Sequence, residues 1–139
     1  MSMTLDEAMA ELAALEDPKV LAVNQRHGDE HAVNLTKLRA LAKRIKANPA
    51  LARELWQTDD AAARLLAILV SRPKDWTADE LDAMLRQART PKVLDWLTNY
   101  LAQKSPDAEE LRRAWFADED PKVAAAGWAL TGVRIVKDP

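Results

Sequence analysis

The chain has 139 residues, 20 basic and 22 acidic side chains for a formal net charge of −2, and no cysteine. That length suits one domain with a substantial core, and the missing thiols exclude disulfides, thiolate metal sites and a cysteine nucleophile. The near-balanced charge excludes a protein that is basic all round, so any nucleic-acid surface must be local, with acids segregated to another face.

The composition is that of an all-α protein: Ala and Leu dominate, β-branched runs are absent, and only three glycines occur. The start, Met1 to Glu7, lacks the charged and apolar regions of a secretory signal. A reducing cytoplasm is the expected location.

Asp6 to Leu15 places Met9, Leu12 and Leu15 on one helical stripe, and Pro18 opens a second helix through about Val23. Asn24 to Asn34 is polar, contains Gly28, and reads as a loop. Leu35 to Ala47 is the next helix, with Leu35, Leu38, Leu41, Ala42 and Ile45 apolar. Asn48-Pro49 restarts a helix ending near Thr58, and Asp60 caps another through about Ser71. The longest apolar stretch, Leu65 to Val70, is far too short to span a bilayer, so no membrane role is expected. After the break at Arg72-Pro73-Lys74, Thr77 and Glu80 form a capping box for a helix to about Arg89. Pro91 to Gln103, Ser105-Pro106-Asp107 through Phe116, and Asp120-Pro121 to near Val136 complete the series. The last helix carries Trp128, Leu130, Val133, Ile135 and Val136 and so leaves little polar surface. Either these residues cap the stack, the chain continues in a longer parent, or a partner or second copy covers them.

A phase of thirty residues runs through these elements. Asp60, Thr90 and Asp120 keep it, as do Leu51, Leu81 and Leu111, with Leu55, Leu85 and Trp115 one turn further on. Thr90-Pro91-Lys92-Val93 and Asp120-Pro121-Lys122-Val123 repeat a tetrapeptide that appears earlier, out of phase, as Asp17-Pro18-Lys19-Val20. Asp or Thr serves as N-cap and proline follows where its missing N–H costs nothing. Two helices per thirty-odd residues, neither able to bury its apolar face alone, describe a solenoid of antiparallel helix pairs. The three leucines are expected to be buried.

Few residues suggest chemistry. The helix from Thr36 to Lys46 carries Lys37, Arg39, Lys43, Arg44 and Lys46 opposite its leucines, either a phosphate-contacting face or a solvated one. His27 and His31 flank Gly28, Asp29 and Glu30, which is too little for a metal site, and none is expected. Trp56, Trp76, Trp96, Trp115 and Trp128 are mostly core wedges in such a stack. Trp96 lies beside Asp95, Asn99 and Tyr100, where a groove could set an indole and a carboxylate against a base or sugar. No paired-carboxylate, nucleophile-plus-base or glycine-rich phosphate motif occurs.

Val23-Asn24-Gln25-Arg26-His27-Gly28, then Leu38-Arg39-Ala40-Leu41-Ala42-Lys43-Arg44-Ile45, Ala63-Arg64-Leu65-Leu66-Ala67 and Ala126-Gly127-Trp128 resemble the DNA alkylation repair family of AlkD-like glycosylases. The whole chain resembles the N-terminal half to two-thirds of such a protein. The resemblance implies HEAT-like helix pairs presenting a basic groove to duplex DNA. It also implies excision of N3- or N7-alkylated purines by a Trp, an Asp and an Arg, without metal or cofactor. Carried onto this chain, the acid falls on Thr98, or on Tyr100 if Trp96 is the aromatic, and the Arg falls on Ala124 or Ala125.

The expectation is an all-α, HEAT-like superhelix forming a single domain over residues 1–139. Its expected role is DNA binding through Lys37, Arg39, Lys43, Arg44, Lys92 and Lys122, with degenerate catalytic positions. Asp95 and Trp96 are the candidates for any remaining catalysis, with Asp95 placed on a different face from Thr98. The alternative is a non-enzymatic scaffold that binds protein or self-associates. A shared face for the cations favours DNA, and interspersed acids favour the scaffold.

Overall fold

The computed structural model describes residues 3–137, with side chains through residue 132. Among these residues the fold is all-α, a HEAT-like helical-repeat fold in which an isolated bridge between Glu16 and Val33 is the only extended pairing. The chain divides into two compact units. The first runs to Arg72 and takes back Thr90–Val93, and the second holds Pro73–Arg89 and the chain from Leu94 onward.

The first unit contains α1 (Leu5–Ala14), α2 (Pro18–Gln25), α3 (Leu35–Ile45), α4 (Pro49–Gln57) and α5 (Ala61–Leu69). Local chemistry starts each of them. Thr4 and Glu7 form a reciprocal capping box, and Asp17, Asn34, Asn48 and Asp60 each accept a first-turn amide at 2.9–3.2 Å. Every residue of α5 from Ala62 to Ile68 is buried, because α1, α3 and α4 all pack on it. That burial takes in Arg64, whose Nε donates to the Trp56 carbonyl at 3.1 Å and whose guanidinium lies 4.5 Å over the Trp56 ring. Asp59, in the left-handed region at φ 61°, completes the pairing with a 3.0 Å ion pair.

The second unit contains α6 (Ala78–Gln87), the second half of α7 (Pro91–Trp96) with its continuation, α8 (Ala108–Phe116) and α9 (Pro121–Lys137). The Thr77–Glu80 capping box forms as expected, with both bonds near 3 Å. From Leu97 to Ala102 the helix widens into π geometry, and Gln103 N–H reaches back five residues to the Thr98 carbonyl at 2.9 Å. The α8–α9 pair is held at close range by Gly127, whose Cα faces the Trp115–Phe116 backbone. Asp82 and Asp118 bracket Arg86 at 3.0 and 2.6 Å, and Trp115 Nε1 donates to Asp82 at 2.9 Å. These bonds to Arg86 hold both carboxyls below their ordinary range.

Leu51, Leu81 and Leu111 are all buried, as are Trp56, Trp76, Trp96 and Trp115. The tryptophan that departs from the core is Trp128, 62% exposed, with its ring 4.6 Å from that of Phe116 and tilted 44° to it. Leu130 beside it is buried. The side chains of Val133, Ile135 and Val136, on which the expectation of an apolar last helix also rested, lie outside the described residues.

The middle tetrapeptide departs from its reading. Asp17 and Asp120 each cap their own helix by accepting the Lys19 and Lys122 amides at 2.9 Å. Thr90 does not: its hydroxyl is buried without a partner, and the Lys92 amide goes to the carboxylate of Asp29 at 2.8 Å. The turn that delivers Asp29 is Gly28, at φ 82°, whose Cα packs against the Pro91 ring. The Arg26-His27-Gly28 stretch therefore helps set the start of α7.

Candidate nucleic-acid interface

Positions i, i+4 and i+7 of a helix share a face. On α3 this rule separates Arg39, Lys43 and Lys46 from Lys37 and Arg44. The first three line a groove of about 360 Å³ with Ala42, Ala47, Leu69, Ser71 and Arg72. Four cations therefore meet in one concavity whose lining contains no acid. Lys43 and Lys46 make no ion pair among the described residues, and both are exposed. Lys46 ends α3 with φ 66°, and its own amide still bonds the Ala42 carbonyl at 2.8 Å.

Helix macrodipoles account for part of this arrangement. The C-terminal ends of α3 and α5 bring roughly half a negative charge each, which favours cations there. Lys43 and Lys46 alone, both exposed, bring two full positive charges to this end of the groove. Arg72 was not among the expected binding residues. It follows the end of α5, and nothing local in Ser71-Arg72-Pro73 tells that α3 lies beside it.

The other expected cations are not in the lining of this groove. Arg44 pairs with Glu11 at 2.9 Å across to α1, and Lys37 sits exposed on that same side of α3. The Lys122 ammonium donates to the Arg86 and Ala88 carbonyls at 2.6 and 3.0 Å, capping the C-terminus of α6. Lys92 is half-buried at the start of α7, close enough for its charge to oppose protonation of His31. Of the five expected cations in the first unit, Arg39 and Lys43 line the groove, and Lys37, Arg44 and Lys92 do not.

His31 is buried and its carbonyl accepts from Asn24 Nδ2 at 2.9 Å, while His27 is exposed. Burial pushes the His31 imidazole below its ordinary value of 6.5, although the neighbouring Asp29 pulls the other way.

A second concavity, of about 330 Å³, opens within the second unit. It is lined by Leu85, Leu94, Asp95, Thr98, Asn99, Lys122, Ala125, Ala126 and Ala129. Two expectations are corrected here. Asp95 and Thr98 share this pocket, because three residues at about 100° each come within about 60° of a full turn. Trp96 is not presented to the pocket: it is 4% exposed, in the core, with its ring 5.3 Å from that of Tyr100. An indole so enclosed does not face the pocket that Asp95 lines.

Asp95 is exposed, and its Oδ1 accepts from Asn99 Nδ2 at 2.9 Å, one turn along. Thr98 turns its hydroxyl back onto the Leu94 carbonyl at 2.9 Å. The π segment begins in this stretch, and such widened turns are frequent at functional sites. No helix among the described residues is long and apolar enough to cross a membrane.

No curated protein sequence matches this one. One similar solved structure is described as "A new family of proteins related to the HEAT-like repeat DNA glycosylases with affinity for branched DNA structures". It shares 25% identity at a TM-score of 0.79 over 93% of this chain and 56% of that one. The present chain thus spans little more than half of that protein's length. The family model for the DNA alkylation repair enzyme matches residues 8–138, nearly the whole sequence, and includes both the groove and the pocket. The chain belongs to the DNA alkylation repair enzyme family.

Proposed function

We propose that this protein binds DNA through the phosphate backbone and does not excise bases. The observation that carries the reading is the α3–α5 groove, where Arg39, Lys43, Lys46 and Arg72 meet without an acid in the lining. On a chain of net charge −2, that segregation is what backbone binding requires, since sequence-independent affinity comes from cations that displace condensed counterions. The similar structure's reported affinity for branched DNA supports the same ligand class and makes a four-way junction the natural comparison with linear duplex.

The case against excision is electrostatic. Departure of an alkylated base leaves positive charge on the sugar, and a positioned carboxylate is usually the largest stabilising contribution available. Thr98 supplies no charge, Ala125 no cation, and Lys122 spends its ammonium on α6 carbonyls. Asp95 remains, without an aromatic partner. We expect release of 7-methylguanine from duplex DNA at the spontaneous rate. Release above it, abolished by Asp95→Asn, would restore the catalytic reading.

Binding is tested by titrating duplex and branched DNA against salt. Lys43→Ala with Lys46→Ala should flatten the log–log slope by about one unit per lost contact, almost equally for all sequences. An unchanged slope would return α3 to an ordinary solvated face and favour the scaffold alternative, in which the exposed Phe116–Trp128 pair meets a partner.

A further inference from the structure

We propose that the pocket on the second unit is a recognition site for the Watson–Crick edge of an unpaired guanine, read by Asp95 and Asn99. The polar inventory of the pocket is short. Thr98 Oγ1 is committed to Leu94 O, and Lys122 Nζ to two α6 carbonyls. Apart from one remaining N–H of Lys122, what is left is the Asp95 carboxylate and the Asn99 amide, fixed together by the 2.9 Å bond from Asn99 Nδ2 to Asp95 Oδ1. A carboxylate only accepts, so the amide must turn its nitrogen toward it, and the orientation of Asn99 is not a matter of choice. The pair therefore offers two carboxylate acceptors beside one spare amide N–H.

That order has a specific complement. Guanine presents, along one edge, a carbonyl acceptor, a ring N–H donor and an exocyclic NH2 donor. The two donors match the carboxylate, and the carbonyl matches the spare N–H of Asn99. Adenine places a ring nitrogen acceptor against the carboxylate, and so does cytosine, which leaves repulsion where guanine has a bond. Thymine offers a single donor. The walls suit a flat ring: Leu85 and Leu94 are apolar, and Ala125, Ala126 and Ala129 leave the depth that larger side chains would fill. At about 330 Å³ the pocket lies at the small end of ligand sites, the scale of one heterocycle and not of a large cofactor.

Such a site also explains why an acid can sit here without catalysis. A carboxylate bonded to the base edge is held away from the sugar carbon where charge develops, so it contributes to ground-state recognition. The proposal rests on the DNA-binding reading only for the source of the base, in a strand end, a branch point or an unpaired position.

The test uses uncharged nucleosides, which have no phosphate for the α3–α5 groove to bind. Deoxyguanosine, deoxyinosine and deoxyadenosine are titrated into the full chain while the backbone amides and the Asn99 side-chain amide are followed by NMR. Saturable shifts at Leu94, Asp95 and Asn99 are expected with deoxyguanosine. Deoxyinosine, which lacks the exocyclic amine, should bind about tenfold more weakly, the consequence of losing one hydrogen bond to a charged group. Deoxyadenosine should not saturate. Asp95→Asn, an exposed substitution that leaves the helix intact, should abolish the guanine preference. Equal shifts from all three nucleosides, or a preference that survives Asp95→Asn, would overturn the proposal. A normal DNA salt slope without any response to deoxyguanosine would overturn it while leaving the groove reading in place.

Discussion

Two glycines on α9 provide a matched pair in which the same substitution should act in opposite directions. A Cβ on Gly127 would press on the Phe116 amide nitrogen and lie 2.6 Å from Phe116 Cα and 2.7 Å from the Trp115 carbonyl carbon. These are backbone atoms, so no side chain can rotate away and α9 must move off α8. Overpacking of this kind costs about 1–3 kcal/mol, while alanine recovers about 1 kcal/mol of helix propensity. Because the obstruction is rigid, the upper part of the first range applies, and Gly127→Ala should lose about 1–2 kcal/mol net. A Cβ at Gly132 meets nothing within 4 Å among the described residues, so Gly132→Ala should keep the whole propensity gain of about 0.5–1 kcal/mol. Urea titration followed by circular dichroism reads both. In melting temperature the pair should diverge by several degrees, since each kcal/mol moves a domain of this size by about 3–5 °C. Shifts of the same sign, or a Gly127→Ala protein as stable as its parent, would show that the α8–α9 approach is not as tight as the geometry makes it.

Other consequences attach to the loop that precedes α3. Asp29→Ala removes the buried acceptor of the Lys92 amide and should cost about 1–2 kcal/mol, the range for a lost N-cap. Asp29→Asn, which keeps an acceptor, should cost less than half of that, and faster hydrogen exchange at Lys92 should follow Ala only; equal costs would refute the capping role. His31 is held in its neutral form by burial. The unfolded chain takes up this proton near the ordinary value and the folded chain only at lower pH. Its contribution is therefore full above about pH 6.5 and is lost as pH falls below it. His31→Gln should flatten the fall in stability as pH drops below about 6.5, and an unchanged pH profile would place the titrating group elsewhere.

The helices were legible because their signals are local. Pro18, Pro49, Pro91 and Pro121 each stand at the first helical position, and the Thr77–Glu80 box closes over three residues. The amphipathic stripes placed Leu51, Leu81 and Leu111 in the core. Where the reading failed, a partner distant in sequence had displaced the local one. Thr90 has the right identity to cap α7, yet Asp29, brought from another loop by the positive φ of Gly28, holds the amide instead. Lys122 has the right charge for phosphate, yet two carbonyls at the end of α6 take it.

The candidate site obeys the same division. Arg39, Lys43 and Lys46 follow from helical spacing alone, but Arg72 joins them only because α5 ends beside α3. Trp96 was drawn into the site by its neighbours in sequence, Asp95 before it and Asn99 and Tyr100 after it. Adjacent residues on a helix point about 100° apart, so the neighbours of an exposed Asp95 are the wrong place to seek its partners. Residues three and four positions on are the right place, and there stand Thr98 and Asn99. The π turn that begins at Leu97 has no sequence signature beyond a run of poor helix formers, Thr98-Asn99-Tyr100. What distinguishes a catalytic pocket from a recognition pocket here is therefore decided by hydrogen-bond partners. Asn99 fixes the carboxylate of Asp95 and carbonyls engage Lys122, and on the reading proposed above such a pocket would hold a base edge without excising the base.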